Sequence, residues 1–376
     1  MQIVYSIGAR FAGGGIGNTA YRAVQGLYQY HLLSRLLCGS YRDTEIPAEK
    51  IRSLGLPSRG LRKLAVYDPS YRLNYYHNVL YDHWAARQLE PCDLFHGWNG
   101  FCLNSLQKAK KLGAVTVVER ASAHNLHQRA ILEEEYGRWG RTFPWPQAAL
   151  ERSLKEYEWA DYILVPSQFA YDSFIEQGFA PERLLLIPFG VDTERFRPAE
   201  RSKEKRPFRV LFVGQINLRK GAVYLLQAWQ QLSWTDAELH LVGRIEQRSA
   251  SIFQPWQNLP GVRWLGYVSD PVRMYQEADV FVFPSLEEGS ALVTYEAMAC
   301  GLPIITTSHA GSVARDGREG FIVPIRDAGA LAERLETLRD DTNLRQEMGQ
   351  AARQRTLQFT WKKYQENLCK KHLNQH

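Results

Sequence analysis

Two glutamates, Glu288 and Glu296, stand eight residues apart in Phe281-Val-Phe-Pro-Ser-Leu-Glu-Glu-Gly-Ser-Ala-Leu-Val-Thr-Tyr-Glu-Ala-Met-Ala-Cys-Gly-Leu-Pro-Ile-Ile-Thr306. The segment reads as a strand, an acidic-glycine turn, a helix and a second strand. Carboxylates at such spacing ordinarily decorate a solvated helix face. Glu296, however, is embedded in Leu-Val-Thr-Tyr-Glu-Ala-Met-Ala-Cys, where an ionised side chain turned inward is costly unless something hydrogen-bonds it. A ribose diol would serve. A helix beginning near Ser290 leaves the amides of Ser290, Ala291 and Leu292 without acceptors at its positive end, ready for a diphosphate. At 1.5 Å per residue, Ser290 and Glu296 lie about 9 Å apart along the axis, comparable to a phosphate-to-ribose span. One helix would then hold a nucleotide lengthwise, with Glu288 just ahead of the anion site.

Cations fall where such an anion would need them. Arg219 and Lys220 precede Gly221 after an apolar strand, at a sheet's carboxyl edge, where two positive groups can meet a diphosphate; a solvated Arg-Lys loop is the plain alternative. Near the N-terminus, Phe11-Ala-Gly-Gly-Gly-Ile-Gly-Asn18 offers glycines at 13, 14, 15 and 17 that permit close backbone approach to phosphate. Their spacing is not G-x-G-x-x-G, which weakens a dehydrogenase reading and leaves a flexible turn as the alternative. His96 and Trp98, then Glu119, Arg120 and His124, follow strands and are placed to face a cleft, although any single histidine is as readily structural. Arg244 and Tyr267-Val268 fall at equivalent strand ends in the second half.

These residues need a scaffold. A chain of 376 residues exceeds the size at which one core keeps growing, so two domains are expected. Composition is globular, with 45% hydrophobic and 23% charged residues. Short apolar runs alternating with helical patterns indicate βαβ units and parallel sheets. Strands are expected at 3–7, 94–96, 115–119, 162–165 and 184–187, and again at 209–213, 239–242, 263–265, 280–283, 303–306 and 321–323. The division is an N-terminal domain over 1–190, a charged, proline-punctuated linker over 191–207, a C-terminal domain over 208–355, and a helix over 356–376 crossing back.

Met1–Gly8 reads directly as a strand, leaving no room for a signal peptide, and no window reaches roughly 18 apolar residues. Five scattered cysteines with neither disulfide nor metal spacing suit a reducing cytoplasm. A net charge of +6 draws anionic partners. The basic residues are dispersed and carry no nucleic-acid-binding motif, so nucleic acid is not expected. The stretch 19–63 mixes basic residues with Tyr21, Leu27, Tyr28, Tyr30, Leu32, Leu33, Leu36 and Leu37, which would give a peripheral face for anionic membranes, although an ordinary packed helix is the simpler reading. With no Asp-x-Asp and no His/Cys cluster, no metal is expected.

The segment from Glu288 to Glu296 resembles the E-x7-E signature of glycosyltransferase family 4. Similar pieces follow the family's order: Ile187-Pro-Phe-Gly-Val-Asp192, Phe212-Val-Gly-Gln-Ile-Asn-Leu-Arg-Lys-Gly221, His240-Leu-Val-Gly-Arg244, Leu265-Gly-Tyr-Val268 and Ala278-Asp-Val-Phe-Val-Phe-Pro-Ser285. The resemblance implies an α/β GT-B fold, two Rossmann-like domains facing each other across a cleft. It implies a retaining glycosyltransferase using a UDP-sugar or GDP-sugar donor, with no other cofactor, and a glycan, lipid or small-molecule acceptor. By it, Glu288 contacts the donor sugar, Glu296 the ribose, and His124 borders the sugar. The loop with Gly14, Gly15 and Gly17 faces the phosphates; Arg244, Tyr267 and Val268 border the base. Many relatives carry arginine where this chain has Gln215, and Arg219 is the candidate to replace it. The alternatives are a catalytically inactive sugar-nucleotide-binding protein, or another GT-B enzyme such as a nucleotide-sugar epimerase or an α-glucan phosphorylase.

Overall fold

Leucine- and valine-rich runs too short for helices form strands buried on both faces, the usual mark of parallel sheets covered by helices. The computed structural model describes residues 1–65, 68, 70–199 and 206–375. In the N-terminal half, β1 (Ile3–Phe11), α1 (Ile16–Gln29), β2 (Leu33–Tyr41), β3 (Ile51–Ser53), α2 (Leu56–Ala65), α3 (Arg72–Gln88), β4 (Leu94–Trp98) and α4 (Leu103–Lys111) come first. They are followed by β5 (Val115–Glu119), α5 (Asn125–Arg138), α6 (Gln147–Trp159), β6 (Tyr162–Val165), α7 (Gln168–Ile175) and β7 (Leu184–Leu186). The seven strands pair in the order β3-β2-β1-β4-β5-β6-β7, every pair parallel.

The C-terminal half contains β8 (Phe208–Val213), α8 (Ala222–Leu232), β9 (Ala237–Val242), α9 (Ala250–Phe253), β10 (Val262–Gly266), α10 (Val272–Gln276) and β11 (Val280–Phe283). It continues through α11 (Leu292–Ala299), β12 (Ile304–Thr306), β13 (Gly320–Ile322), α12 (Ala328–Asp340), α13 (Thr342–Thr356) and α14 (Trp361–Leu373). Its sheet is also parallel, ordered β10-β9-β8-β11-β12-β13. Both sheets are therefore Rossmann-like. Strand order reverses between β1 and β4 in one and between β8 and β11 in the other, and ligands of open α/β sheets bind outside strand carboxyl ends at such switch points. The glycine loop after β1, Trp98 at the end of β4, Arg219-Lys220 after β8 and the diglutamate turn after β11 all issue from those four strands.

The structure adds two strands, β2 and β3, that the sequence does not announce. Leu33-Ser-Arg-Leu-Leu-Cys-Gly-Ser-Tyr41 carries arginine, serine and glycine among its apolar residues, which disguises a strand as an amphipathic segment. The expected surface face over 19–63 is corrected accordingly: Leu27, Leu32, Leu33, Leu36 and Leu37 are buried, placed in the N-terminal cores. Exposure lies instead at Leu56 and Leu64 of α2, at 79% and 60%.

The linker is less bare than its composition suggests. Val191 pairs with Thr360 in an isolated parallel bridge, and Val191 and Phe196 join the C-terminal core. A Cβ on Gly190 would come within 2.4 Å of the Thr360–Trp361 backbone, so only glycine fits where the two crossings meet. Residues 200–205 lie outside the described residues. Beyond the second crossing, α14 packs against α1, and its Tyr364, Leu368 and Cys369 complete the N-terminal core. Leu368 is fully buried there. Leu368→Ala should lower stability by about 2–5 kcal/mol through lost transfer energy and the cavity left behind. Denaturant titration followed by circular dichroism checks this, and an unchanged midpoint would make α14 a surface appendage.

Candidate active site

The domains meet around one buried carboxylate, Glu287, which is fully excluded from solvent. From the N-terminal side it accepts hydrogen bonds from the Ser122 hydroxyl, the Ala123 amide at 3.2 Å and Gln128 Nε2 at 2.6 Å. From its own domain Arg219 Nη1 approaches at 3.1 Å. Burial pushes the Glu287 carboxyl up, but the Arg219 guanidinium and the Ser122 and Gln128 hydrogen bonds outweigh it and hold it below the usual range. Gly289 shows how close the domains come: a Cβ there would lie 2.2 Å from the Ala121 backbone.

Glu288, the neighbour, turns toward the cations. Arg219 Nη2 donates to Glu288 Oε1 at 2.8 Å, and Lys220 Nζ pairs with the same oxygen. Two cations thus face two carboxylates, with Arg219 bridging both. Burial first, and the adjacent Arg219 second, push the Lys220 ammonium well below the usual lysine range, with Glu287 opposing. The turn is fixed by backbone contacts: Leu286 N and Ser285 Oγ both donate to Arg219 O, at 2.9 and 3.1 Å. Gly221 adopts φ 66°, and a Cβ there would meet Pro284 O at 1.9 Å. This position demands glycine both for conformation and for space.

The helix after this turn starts at Leu292, with Ala291 as its N-cap, two residues later than expected. Ala291 is therefore not a free anion donor, because its amide already bonds Ala310 O at 2.9 Å. Ser290 Oγ contacts Tyr295 OH at 2.8 Å and donates to Gly311 O at 3.1 Å. Leu292 and Val293 occupy the first two helical positions, where an amide has no acceptor within the helix. Glu296 lies four residues into α11, about 6 Å along the axis. Its Oε2 accepts from Tyr275 OH at 2.8 Å, so the protein supplies one partner itself.

A cleft of about 870 Å³ brings most of these groups together, lined by Gly15, Ile16, Trp98, Arg120, Ser122, Gln128, Gln215, Arg219, Lys220, Tyr267, Glu288 and the Ser290–Val293 backbone. Gly15 caps α1 at φ 59°. Gly14 is exposed and clear of neighbours, whereas Gly17 faces away: a Cβ there would lie 2.1 Å from Arg10 O. Its requirement is helix–strand packing. Arg244 lies over the Tyr267 ring, 5.2 Å from its centroid, next to Val268 at the same rim.

His124 sits elsewhere. It is buried, caps α5 by accepting from Leu126 N at 3.3 Å, and packs among the rings of Tyr157, Phe174 and Phe179. Burial, Arg120 and His127 push it down to about 4. The structure gives it a packing role in place of the expected sugar contact. His96 and Glu119 form a buried pair at 3.0 Å, with burial pushing His96 down to about 3 and Glu119 up to about 8. Trp98 Nε1 donates to Tyr5 OH at 2.7 Å, and Tyr5 OH to Glu119 Oε2 at 3.0 Å. Arg120 reaches Gln128 Oε1 at 2.8 Å, extending the cleft's network into the N-terminal domain.

Glu287, Ser122 and Gln128 are the site residues that sequence reasoning missed. Glu287 carried a signal, a second acidic residue in a turn too tight for both to be solvated, but nothing in the sequence names its partners. Among the described residues, no group of three or more His, Cys, Asp or Glu side chains is placed to hold a metal ion.

Burial pushes Glu296 up to about 7, against the Tyr275 hydrogen bond and Arg195. An unfolded glutamate titrates near 4.5, so the folded state retains this proton between about 4.5 and 7. The associated stability is fully present below the lower value and is lost as pH rises through the upper one. Carboxyl ¹³C NMR of the ligand-free protein should find a Glu296 midpoint near 7, moved upward in Tyr275→Phe. A midpoint near 4.5 in both would contradict the buried environment.

Residues 13–195 match the family model described as Glycosyltransferase Family 4, and residues 207–341 match that of Glycosyl transferases group 1. Together they leave unmatched only 1–12, 196–206 and 342–376. Similar curated proteins include the capsular polysaccharide biosynthesis glycosyltransferase CapM of Staphylococcus aureus, 30% identical over 51% of this chain and 56% of that protein. The D-inositol 3-phosphate glycosyltransferase of Paenarthrobacter aurescens is 31% identical over 48% of this chain and 49% of that one. The chain thus spans about half the length of the curated relatives it matches. Among solved structures, Anabaena HepE in complex with UDP and glucose superposes with a TM-score of 0.72 at 17% identity, covering 100% of both chains. That likeness shows the fold, GT-B, with its two facing Rossmann-like domains. With family-specific halves in the family's order on that fold, the chain belongs to glycosyltransferase family 4.

Proposed function

We propose that this protein is a metal-independent, retaining glycosyltransferase that moves a sugar from a UDP- or GDP-linked donor to a hydroxyl acceptor. The observation that carries this reading is the convergence of Lys220, Arg219 and Glu288 beside the first turn of α11, in the cleft between the two domains. The hard step in retaining transfer is departure of the diphosphate from an oxocarbenium-like sugar, and preorganised positive charge stabilises it. Arg219, Lys220 and the Leu292 and Val293 amides are the waiting donors. Without ligand, Glu287 and Glu288 neutralise the two cations; an incoming diphosphate supplies anionic charge that restores the proton affinity of Lys220 and frees Glu288 to face the donor sugar. Glu296 takes the ribose hydroxyls. The acceptor attacks from the leaving-group side, and its proton departs on the phosphate oxygen.

The uridine nucleotide in the Anabaena neighbour makes UDP the first ligand to test, with GDP beside it. Calorimetric affinity for the nucleoside diphosphate should be unchanged by excess EDTA; loss on chelation, restored by magnesium or manganese, would overturn metal independence. Glu296→Ala should act mainly by raising KM, because a ribose contact is present in ground and transition states alike. Lys220→Ala should lower kcat by about 10²–10³. Glu288→Ala should leave nucleotide affinity nearly intact while removing most turnover. Normal turnover by Glu288→Ala, with folding verified by circular dichroism, would sink the mechanism, and absence of any transfer by the wild type would favour an inactive sugar-nucleotide binder.

A peripheral membrane contact is supported by one observation. Leu56 and Leu64 of α2 are exposed, alongside Arg59, Arg62 and Lys63 on the same ten-residue helix. Such a helix suits the surface of an anionic bilayer, and no helix among the described residues is long and apolar enough to cross one. Anionic liposomes should co-sediment the protein at low salt and release it at high salt. Equal recovery with neutral liposomes, or with Leu56→Ser/Leu64→Ser, would reject the contact.

A further inference from the structure

Next to the donor cleft, sharing Gln128, Gln215 and Arg219 with it, lies a second hollow of about 360 Å³. Its walls are unusually aromatic. Tyr71 and Tyr75 come from the start of α3, Tyr136 from α5, and Phe143 and Trp145 from the loop leading to α6. Tyr136, Phe143 and Trp145 form an edge-to-face series, with centroids 5.2 and 5.9 Å apart, which fixes the ring planes. None of the five is fully buried. Between the rings stand carboxamides: Asn74, Asn78 and Asn217, with Gln128 and Gln215 at the shared boundary. Asn74 makes no side-chain hydrogen bond to another described residue.

Flat apolar faces interleaved with carboxamides match one ligand chemistry closely. A pyranose presents C–H faces that lie on aromatic rings and a rim of hydroxyls, each both donor and acceptor, that a carboxamide such as Asn74 satisfies, whereas Gln128 and Asn217 are already engaged within the protein. The charges of the hollow favour a neutral ligand over a more anionic one. Its charged lining residues are Arg219 and Glu246. Arg219 holds Glu287, and in the donor-cleft reading its other arm goes to the donor diphosphate, so it is not left over for a phosphate on the acceptor; Glu246 accepts from Ser249 Oγ at 2.9 Å. Arg248 stacks on Tyr71 at 4.4 Å and donates from Nη2 to Asp68 O at 2.8 Å; its Nη1 has no hydrogen-bond partner among the described residues, but Arg248 does not line the hollow. A phosphate needs cationic donors of its own; once the donor diphosphate holds Arg219, the charged group left in the wall is the Glu246 carboxylate.

We infer that this hollow is the acceptor subsite and that it takes an uncharged pyranose, the terminal sugar of a glycan, rather than a phosphorylated polyol. The inference rests on the donor-cleft reading given under Proposed function. At the boundary formed by Gln128, Gln215 and Arg219, an acceptor hydroxyl is delivered to the donor. A bond forms between that oxygen and the anomeric carbon, the bond from that carbon to the phosphate oxygen breaks, and the hydroxyl proton leaves on the phosphate. The products are a glycoside and a nucleoside diphosphate.

Saturation-transfer NMR on the full chain, with and without UDP or GDP, tests the assignment directly. The probes are the methyl glycosides of glucose, galactose, mannose and N-acetylglucosamine, against glucose 6-phosphate and inositol 1-phosphate. At least one neutral glycoside should bind, and Tyr75→Ala and Trp145→Ala should each weaken it tenfold or more. Trp145→Phe should retain most of the affinity, and nucleotide affinity should stay within twofold in all three. A phosphorylated probe binding tenfold tighter than every neutral one, no neutral glycoside binding, or alanine variants that bind normally would each overturn the subsite. Nucleotide titrations separate the two readings: if nucleotide binds and glycosides do not, the subsite alone fails. Glycoside binding without any nucleotide binding would leave a lectin-like groove and overturn its role as an acceptor site.

Discussion

A carboxylate removed entirely from water, Glu287, sets the terms for the rest of the molecule. Its burial between domains is tolerable only with a full set of donors, and three of the four come from the opposite domain: Ser122, Ala123 and Gln128. Breaking a buried charged pair from one side costs about 3–5 kcal/mol, because the remaining charge is stranded. Opening the cleft completely therefore means rehydrating Glu287, and the closed arrangement is the one in which its charge is matched. Close backbone approach makes the match possible. Gly289 lies against the Ala121–Ser122 backbone, and a Cβ on Gly311 would lie 2.2 Å from Gly289 O and 2.8 Å from Ser167 Oγ.

A second interdomain cluster supports the same geometry further along α5. Glu135 accepts from Tyr224 OH at 3.0 and 2.9 Å, from Arg326 Nε at 2.8 Å and from Trp139 Nε1 at 3.0 Å. Gln128 and Glu135 are two turns apart on one helix, so α5 is held by the C-terminal domain at both points. That fixes α5 as the partition between the two hollows. Its Gln128 belongs to both, while its Leu132 and Tyr136 face the aromatic one alone. The partition is built from an ordinary helix, given its place by polar contacts at two positions together with apolar packing of Ile131, Tyr136 and Trp139 against the C-terminal core.

In the C-terminal sheet β8 and β11 were legible as apolar runs, Val-Leu-Phe-Val and Val-Phe-Val-Phe, and β9 by its alternation of apolar and polar residues. β2 and β3 were not legible. β2 carries Arg35 and Ser34 at half-buried positions, a pattern shared with amphipathic helices, and β3 has three residues. A buried carboxyl was legible where one residue's surroundings in sequence contradicted its charge, as for Glu296 among alanines and Met298. Glu287 met the same criterion less visibly, because Glu288 beside it gave an equally acidic turn one apparent function. His124 was misjudged because sequence places it after a strand but cannot tell whether it points to the cleft or into the Tyr157–Phe174–Phe179 cluster. The start of α11 was misplaced for a related reason: Ser290 is a good N-cap residue, yet its hydroxyl is taken by Gly311 O, and the cap shifts to Ala291.

Arg219 joins closure to chemistry. One arm of its guanidinium holds Glu287 and the other holds Glu288, and these carboxylates answer to different demands. Glu287 is matched by four donors and has no reason to leave. Glu288 is half-buried, and among the described residues its side-chain partners are the two cations, the same cations that a diphosphate would claim. Competition at Arg219 and Lys220 therefore acts on Glu288 first and leaves the Glu287 contacts in place. The planar, always-charged fork of arginine suits this double duty, since one arm can exchange partners while the other is kept. Lysine in its place would hold one carboxylate or the other, and the closed cleft and the responsive one would no longer be compatible.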